Sequence, residues 1–333
     1  MSRKVTIIGY TGSGKTTYLI GMYAAMSGFG QQGYSLTAGR DEELRLNDLW
    51  DRMQEGHFPA ANNLSESYEF CLSKGFEPVT HFTWLDYPGG LLDKSVGNDR
   101  EKLSQYIESS DTLFLVFDGE VFKSGDLCPS DYERRLKNKL KNAREIKRVI
   151  SEVGILSSKG ICIPPICVIL TKSDLICEGR SENEIPEIYR IVKKVMLSEM
   201  KSLFENRAVY ISCVSLGSEK DIQMYGPEPM CVEEPIAFAV MNIALSQMEA
   251  LSGLKGDASK TLDKKRNWFT RWLDKEEIES ARKEYNELSS KGKQWTRNAL
   301  DLLNLFPADT NIYVNGLPED FHSYMRRRFN ELA

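Results

Sequence analysis

One glycine-rich stretch near the start constrains the fold of this chain more than any other feature: residues 9–16, GYTGSGKT. An apolar run at residues 5–8 precedes it, and an apolar helical pattern at residues 17–26 follows it. This order of strand, tight glycine turn and helix is the context that the phosphate-loop pattern G-x-x-x-x-G-K-[ST] requires. The stretch therefore predicts a phosphate-binding loop between the first strand and the first helix.

Each part of this loop has its own predicted role. Its glycines let the backbone curl so that successive N–H groups face an anion, and the start of the helix adds partial positive charge. Lys15 is predicted to reach the β- and γ-phosphates, and the Thr16 hydroxyl to bind magnesium. The alternative is a glycine-rich turn with no ligand, but the filled fixed positions favour nucleotide binding. The predicted nucleotide contacts are Gly9, Thr11, Gly12, Ser13, Gly14, Lys15, Thr16 and Thr17.

A second candidate segment follows a strand predicted at residues 79–85, where residues 86–90 read DYPGG. A carboxylate at the carboxyl end of a strand, with a glycine three places on, is what magnesium binding and γ-phosphate sensing need. Asp86 is predicted to hold the metal, mostly through water, and the Gly89 N–H to bond the γ-phosphate. Taken alone, D-x-x-G also fits a plain strand-end turn, and the preceding phosphate loop favours the functional interpretation.

A third segment, TKSD at residues 171–174, follows an apolar strand predicted at residues 161–170. In the pattern [NT]-K-x-D, the aspartate accepts hydrogen bonds from guanine N1–H and the exocyclic amine, whereas adenine would leave that carboxylate unpaired. Thr171, Lys172 and Asp174 are therefore predicted to select guanine, with the lysine stem along the base and steadying the phosphate loop. A polar strand end without a ligand is the alternative.

Small residues at the end of the last predicted strand, residues 208–211, complete the candidate site. Ser212 and Cys213 follow that strand. Their small side chains would let backbone N–H groups reach guanine O6. This assignment depends on the order of the segments alone.

Composition narrows the compartment and the class of partner. The chain has 333 residues and a net charge of −5, which predicts no nucleic-acid binding through a large basic field. No apolar run approaches the ~18 residues that cross a bilayer, and the N-terminus shows no signal-peptide pattern. The seven cysteines form no C-x-x-C pair, which favours reduced, buried thiols. We therefore expect a cytoplasmic protein.

Hydrophobic periodicity predicts the remaining elements. A strand through residues 68–72 would form a hairpin with the strand at residues 79–85. The other predicted elements are a buried strand at residues 112–117, a long basic helix at 132–153, a helix at 235–251, and short extended pieces at 34–37 and 311–314.

The chain changes character towards its C-terminus. Residues 1–251 hold the motifs and are predicted to form the nucleotide-binding domain, and residues 253–259 read as a polar linker. The pattern at residues 260–305 is charged and helical, so residues 252–333 are predicted to be a mainly helical extension. The segment NWFTRWL at residues 267–273 leaves three interpretations open: packing on the globular domain, binding a partner protein, or peripheral contact with a membrane surface.

Taken in order, the segments 9–16, 86–89, 171–174 and 212–213 resemble the motifs of Ras-like GTPases of the translation-factor-related (TRAFAC) class. Residues 53–59, MQEGHFP, also resemble a segment of bacterial double-GTPase families. The first resemblance implies an α/β P-loop NTPase fold: a three-layer sandwich whose mostly parallel, six-stranded sheet has one antiparallel hairpin strand and helices on both faces.

The same resemblance implies a function. It implies a guanine-nucleotide-binding switch that binds GTP or GDP with Mg2+ and hydrolyses GTP to GDP and phosphate. Its switch loops and C-terminal helices would contact a protein activator or effector. The residues that would serve catalysis are Lys15, Thr16, Asp86 and Gly89.

Two departures from the family pattern bear on hydrolysis. The family usually has a metal-binding threonine just before the hairpin strand, where this chain reads AANN at residues 60–63, with Ser65 and Ser67 beyond. Many relatives place a water-orienting glutamine after D-x-x-G, where this chain has Gly90. We therefore expect slow intrinsic hydrolysis or activation by a partner. Two alternatives stay open: a pseudo-GTPase with a structural nucleotide, and a phosphate-loop ATPase or kinase in which Asp174 is incidental.

Overall fold

A computed structural model of the chain describes residues 3–28, 31–60, 65–89, 98–267 and 275–332. Three segments discussed above lie outside the described residues. They are residues 61–63, where relatives have a metal-binding threonine, Gly90, where many have a glutamine, and residues 268–273 of the tryptophan-containing segment. The chain divides into two compact units. Unit 1 comprises Met1–Ala239 with Asn311–Glu319, and unit 2 comprises Val240–Thr310 with Asp320–Ala333.

A single mixed sheet gathers the strands of the described chain, in the spatial order β2-β3-β4-β1-β5-β6-β7-β8-β9. The middle five strands, β4 to β7 with β1 among them, run parallel to one another, while β2, β3 and β8 join antiparallel. The strands are β1 (Lys4–Gly9), β2 (Tyr34–Ala38), β3 (Glu66–Lys74), β4 (Glu77–Asp86), β5 (Thr112–Asp118), β6 (Ile166–Thr171), β7 (Ala208–Cys213), β8 (Asn311–Val314) and β9 (Leu317–Asp320).

Helices connect the strands and make up most of unit 2. They are α1 (Lys15–Met26), α2 (Arg40–Gln54), α3 (Asn98–Glu108), α4 (Pro129–Asn142), α5 (Arg144–Ser158), α6 (Ser173–Ile176), α7 (Ile185–Glu199), α8 (Lys201–Phe204), α9 (Glu219–Tyr225), α10 (Glu233–Asn267), α11 (Lys275–Asp301) and α12 (Phe321–Leu332). Short 3-10 turns lie at Gln31–Gly33, Gly119–Phe122 and Leu302–Leu305.

The sheet is larger than the sequence implied. All six expected strands are present, but β2, β8 and β9 extend the sheet to nine, so the six-stranded expectation is corrected. In β2, Leu36 pairs with Leu72 of β3, and in β8, Ile312 pairs with Tyr210 of β7. The sequence shows such four- or five-residue pieces as extended, but the partner strand, about 36 residues away for β2 and about a hundred for β8, is a tertiary property that local pattern does not encode.

Two helix expectations also need correction. The predicted single helix at residues 132–153 is broken into α4 and α5 at Ala143, whose ψ of 88° lies outside the helical region. The predicted linker at residues 253–259 lies inside α10, which runs for 35 residues. A single glycine in a helix lowers its stability by only about 1 kcal/mol relative to alanine, so the helix can continue across a polar stretch that contains glycines.

Side chains of the central strands face helices on both sides of the sheet. On one face, the strand residues share a buried cluster with α4, α5 and α7. On the other face, Phe114 of β5 contacts Trp84 of β4 with 5.4 Å between ring centroids, and Trp84 contacts Tyr18 of α1 at 6.1 Å. The strand members of the first cluster include Leu113, Leu115, Phe117, Ile166, Val168 and Leu170. Helical layers on both faces leave the carboxyl ends of the parallel strands free to carry the site.

Unit 2 has a core of its own. The rings of Phe306 and Phe321 lie 4.5 Å apart by their centroids, and Arg328 forms an ion pair of 3.1 Å with Glu249. Throughout the described ranges, no helix has both the length and the apolar character needed to pass through a bilayer.

The aromatic core of unit 1 generates a stability prediction. Phe114→Ala should lower the free energy of unfolding by about 3–5 kcal/mol, because it empties a fully buried site in a central strand. The matched control is Phe76→Ala in the turn between β3 and β4, where the ring is 99% exposed and the expected change is within about 0.5 kcal/mol. Urea unfolding followed by circular dichroism measures both, and similar losses in the two variants would contradict this description of the core.

Candidate functional site

The glycine-rich loop between β1 and α1 forms a cradle of main-chain amides. Gly12 and Gly14 have φ values of 83° and 87°, which favour glycine, and the Ser13 N–H donates to the Tyr10 carbonyl at 3.1 Å. The first turn of α1 has no side-chain cap and no acidic residue. Uncapped N–H groups and the helix dipole both favour an anion at this position.

Lys15 lies against this loop. Its ammonium group donates to the carbonyl oxygens of Gly9, at 2.9 Å, and Tyr10, at 3.4 Å. Burial lowers the pKa of Lys15, and the neighbouring Asp86 carboxylate acts in the opposite direction. A bound phosphate would give this buried cation a charged partner in place of neutral carbonyls.

The other predicted residues of the loop differ in exposure. Thr11 and Gly12 are exposed, whereas Thr16 and Thr17 are half-buried in the first turn of α1. The Ser13 hydroxyl is buried and has no hydrogen-bond partner among the described residues. The loop therefore presents its outer residues to solvent and packs its inner ones against the sheet.

Asp86 is the last residue of β4 and is nearly fully buried. It is paired with Ile7 of β1 and with Glu66 of β3. Burial raises the pKa of Asp86 to about 6, while Lys15 lowers it and Glu66 raises it. The Oδ1 atom has no hydrogen-bond partner in the described part of the chain. An unsatisfied buried carboxylate oxygen, one strand away from the Thr16 turn, suits a hard cation such as Mg2+.

Gly89 lies directly on the glycine-rich loop. A Cβ atom at this position would come within 2.4 Å of the Thr11 nitrogen and 2.7 Å of the Gly9 oxygen, so only glycine fits. The Tyr87 N–H donates to the Ile7 carbonyl at 3.1 Å, which continues the β1–β4 pairing beyond Asp86. The structure thus brings the Asp86–Gly89 segment and the loop together.

Thr171 joins the far side of the site to the same loop. Its buried hydroxyl donates to the Ser13 carbonyl at 2.8 Å and lies 3.3 Å from the Phe117 carbonyl. Its side-chain atoms would lie about 3.1–3.3 Å from a Cβ at Gly14. The end of β6 and the glycine-rich loop are therefore one packed unit.

Asp174 is half-buried at the start of α6 and is held by a residue that the sequence reasoning did not single out. The Ser215 hydroxyl donates to Asp174 Oδ1 at 2.5 Å and accepts from the Gly217 N–H at 3.0 Å. The Ser173 N–H donates to the Val214 carbonyl at 3.0 Å. Ser215 lies two residues beyond β7, and a serine followed closely by a glycine after the last parallel strand is the signal that could have found it.

Ser212 and Cys213 end β7 just before this segment. The Ser212 hydroxyl is buried and donates to Glu234 Oε2 at 3.2 Å, and Tyr210 donates to the same oxygen at 2.5 Å. Cys213 is half-buried, and burial raises its thiol pKa to about 12. Ser212 and Cys213 lie opposite Ile169 and Leu170 of β6, the strand that leads to Asp174. Ser215 makes the contact with Asp174, and the contact of Ser212 and Cys213 with guanine stays a prediction.

Lys172 has a partner that the sequence reasoning did not identify. Its ammonium group donates to Asp118 Oδ2 at 2.6 Å. Asp118 ends β5, so the ion pair joins the ends of two neighbouring parallel strands. With these contacts, the ends of β1, β4, β5, β6 and β7 all contribute to one candidate site.

No family model and no curated protein matches the chain. Solved structures align with it at a TM-score of 0.29. One is a mutation variant of SsGBP, with 16% identity over 72% of this chain and 57% of that chain. Another is the Arl6 BBS3 small GTPase from Trypanosoma brucei with bound GppNp, with 16% identity over 72% of this chain and 95% of that one. A third is the signal recognition particle receptor SRb-GTP/SRX complex from Chaetomium thermophilum, with 13% identity over 60% and 82%. Values this low assign no family.

The buried Asp86 generates a pH prediction. Because its folded pKa is about 6, Asp86 binds more protons in the native chain than in the unfolded chain between about pH 4 and pH 6, so its contribution to stability falls as pH rises through that window. Asp86→Asn should remove this loss and stabilise the nucleotide-free protein at pH 7.5 by roughly 1–3 kcal/mol.

The measurement is urea unfolding at several pH values without nucleotide or metal. Asp48→Asn is the control, because this carboxylate is 59% exposed and forms only an exposed ion pair with Arg52. An Asp86 variant whose stability follows the same pH curve as the parent would show that ionisation of this carboxylate does not destabilise the fold.

Proposed function

We propose that the chain is a guanine-nucleotide-binding switch protein that hydrolyses GTP to GDP and phosphate with Mg2+. One observation carries the proposal. The amide cradle that contains the buried Lys15 is fixed to the segment that contains the half-buried Asp174, at one edge of the sheet. The Thr171–Ser13 hydrogen bond, 2.8 Å long, makes that connection. An anion-binding end and a base-reading end, held by a buried bond, suit a nucleoside phosphate.

At the phosphate end, main-chain amides carry the binding. The backbone of Gly9, Thr11, Gly12, Ser13 and Gly14 and the first turn of α1 with Thr16 and Thr17 would surround the phosphates, and the Lys15 ammonium would contact the β- and γ-oxygens. Lys15 would stabilise the charge that develops on the phosphates during hydrolysis. The Gly89 N–H would donate to the γ-phosphate and so distinguish GTP from GDP.

Asp86 and Thr16 are the residues that would hold Mg2+, and the unsatisfied Oδ1 of Asp86 fits that role. When bound, Mg2+ neutralises charge on the phosphate oxygens. Asp86 binds a cation only when ionised, and its raised pKa predicts weaker Mg2+ affinity below about pH 6.

At the base end, Asp174 would accept hydrogen bonds from guanine N1–H and N2–H. Ser215 fixes the orientation of this carboxylate before the base arrives, which reduces the entropy lost on binding. Adenine would leave the carboxylate without donors, and stranding a polar group gives strong discrimination. The Lys172 stem would lie along the base, with backbone N–H groups at Ser212 and Cys213 proposed to reach guanine O6.

The second candidate is a nucleotide-binding interaction module that hydrolyses little or no GTP. The sequence feature that favours it is Gly90, which follows the D-x-x-G segment and has no side chain to orient a water molecule. A partner residue supplied in trans would restore hydrolysis, and such arginines contribute about 10³–10⁵ in rate in related chemistry. Equal affinity for GTP and GDP would favour the module over the switch.

We further propose the cytoplasm as the compartment, with residues 252–333 and the switch loops as contacts for a protein partner. We take the range 252–333 from the sequence pattern, and we propose that the nucleotide-binding domain ends at residue 251. The primary test is nucleotide binding followed by phosphate release with Mg2+, with and without proteins encoded nearby. ATP that displaces GTP at equal concentration would overturn the guanine assignment.

Lys15→Ala should weaken GDP and GTP binding by about a hundredfold or more, because it removes the buried cation that faces the phosphates. The matched control is Lys147→Ala, at an exposed lysine of α5, which should bind as the parent does. Fluorescent nucleotide titration measures both. Equal affinity of the Lys15 variant and the parent would remove the phosphate-loop assignment.

Asp174→Asn should reduce the preference for GTP over ATP by about a hundredfold or more while leaving the phosphate contacts intact. The control is Asp131→Asn, which changes a carboxylate of α4 whose side chain is 49% exposed and is bonded to Arg134 at 3.0 Å. Competition between GTP and ATP for each variant gives the ratio. An unchanged ratio in the Asp174 variant would refute guanine reading by this carboxylate.

A further inference from the structure

Lys172 has a backbone conformation that side-chain-bearing residues seldom adopt. Its φ and ψ are 49° and 44°, in the left-handed region. For residues other than glycine, Asn and Asp, this conformation is unfavourable and persists only where neighbouring residues hold it. The lysine proposed to lie along the base therefore depends on contacts that fix it.

Asp118 holds the side chain of Lys172. Its Oδ2 accepts from the Lys172 ammonium at 2.6 Å, and its Oδ1 accepts from the Glu120 N–H at 2.9 Å. The Asp118 side chain is 15% exposed, against 49% for Lys172. The carboxylate is thus the anchored partner, and the lysine is the partner that it orients.

The backbones of the two strand ends are also in direct contact. A Cβ at Gly119 would lie 2.3 Å from the Thr171 carbonyl oxygen and 2.6 Å from that of Lys172, so no larger residue fits. Because this approach fixes the spacing of the two chains, the Asp118 carboxylate meets the Lys172 ammonium without rearrangement.

Tyr10 connects this ion pair to the phosphate end. Its hydroxyl accepts from the Asp118 N–H at 3.0 Å, while its carbonyl accepts from the Lys15 ammonium at 3.4 Å. Burial raises the pKa of Tyr10 to about 12, so the hydroxyl stays neutral at physiological pH. A continuous set of contacts therefore runs from Lys15 through Tyr10 and Asp118 to Lys172.

We propose that Asp118 is a positioning residue of the nucleotide site, which holds Lys172 in place against the base and takes its own position from Tyr10 of the phosphate loop. This inference rests on the proposed function, because it assumes that Lys172 contacts a guanine nucleotide. Asp118 itself touches no nucleotide. It lowers the cost of ordering Lys172 when the nucleotide binds.

The test is a double-mutant cycle on GDP affinity with Asp118→Asn, Lys172→Met and the double variant. Asp118→Asn should weaken GDP binding about fivefold to tenfold, mainly by faster dissociation, since it removes the charge that orients Lys172. In the Lys172→Met background, the same change should have no further effect, because the lysine that it positions is absent. A residue that only stabilises the fold would weaken binding equally in both backgrounds.

One control variant and one further test variant accompany the cycle. Asp131→Asn, the carboxylate paired with Arg134, should leave GDP affinity unchanged. Tyr10→Phe should give a loss in the same direction as Asp118→Asn, because it removes the acceptor for the Asp118 N–H.

The results separate this inference from the proposed function. If the parent protein binds no guanine nucleotide, both are overturned. If the parent binds GDP but Asp118→Asn binds it equally well, or if the losses in the cycle are additive, only the positioning role of Asp118 is overturned.

Discussion

The hydrogen bond from the Thr171 hydroxyl to the Ser13 carbonyl is the contact on which the candidate site depends. It joins residues 158 positions apart and is fully buried, so water does not compete for either group. On one side of it lies the amide cradle with Lys15, and on the other lie Lys172 and Asp174. Together with the Tyr10–Asp118 and Asp118–Lys172 contacts, this bond joins the loops at the ends of β1 and β6.

Burial has a cost at the same edge of the sheet. Asp86 is a nearly fully buried carboxylate whose Oδ1 has no hydrogen-bond partner among the described residues, and burial raises its pKa to about 6. Lys15 offsets part of that cost by its charge. Natural chains retain groups of this kind mostly at functional sites, where a ligand supplies the missing partner. The unpartnered oxygen of Asp86 and the left-handed backbone of Lys172 both lie at the carboxyl ends of the parallel strands.

Much of the fold could be predicted from the sequence where local pattern is strong. The apolar, β-branched runs of β1, β5 and β6 identify buried strands, and the glycines at positions 12 and 14 identify a tight turn before a helix. The pairing of β8 with β7 could not be predicted, because it joins segments about a hundred residues apart. The break at Ala143 could not be predicted either, because the apolar pattern continues across it. Ser215 was missed for a related reason: the sequence indicates a polar position after β7 but not which hydroxyl reaches Asp174.

The sequence by itself determined which residue types are available: a phosphate-loop pattern, a carboxylate after β4 and a TKSD segment after β6. Those patterns are local, and each is encoded within about ten residues. Only the tertiary structure decided that Ser215 orients Asp174, that Asp118 holds Lys172 and that Gly89 lies on the Thr11 amide. Each of these contacts joins segments from different strands, and their distances are set by how parallel strands align at a shared edge, which no single stretch of sequence specifies.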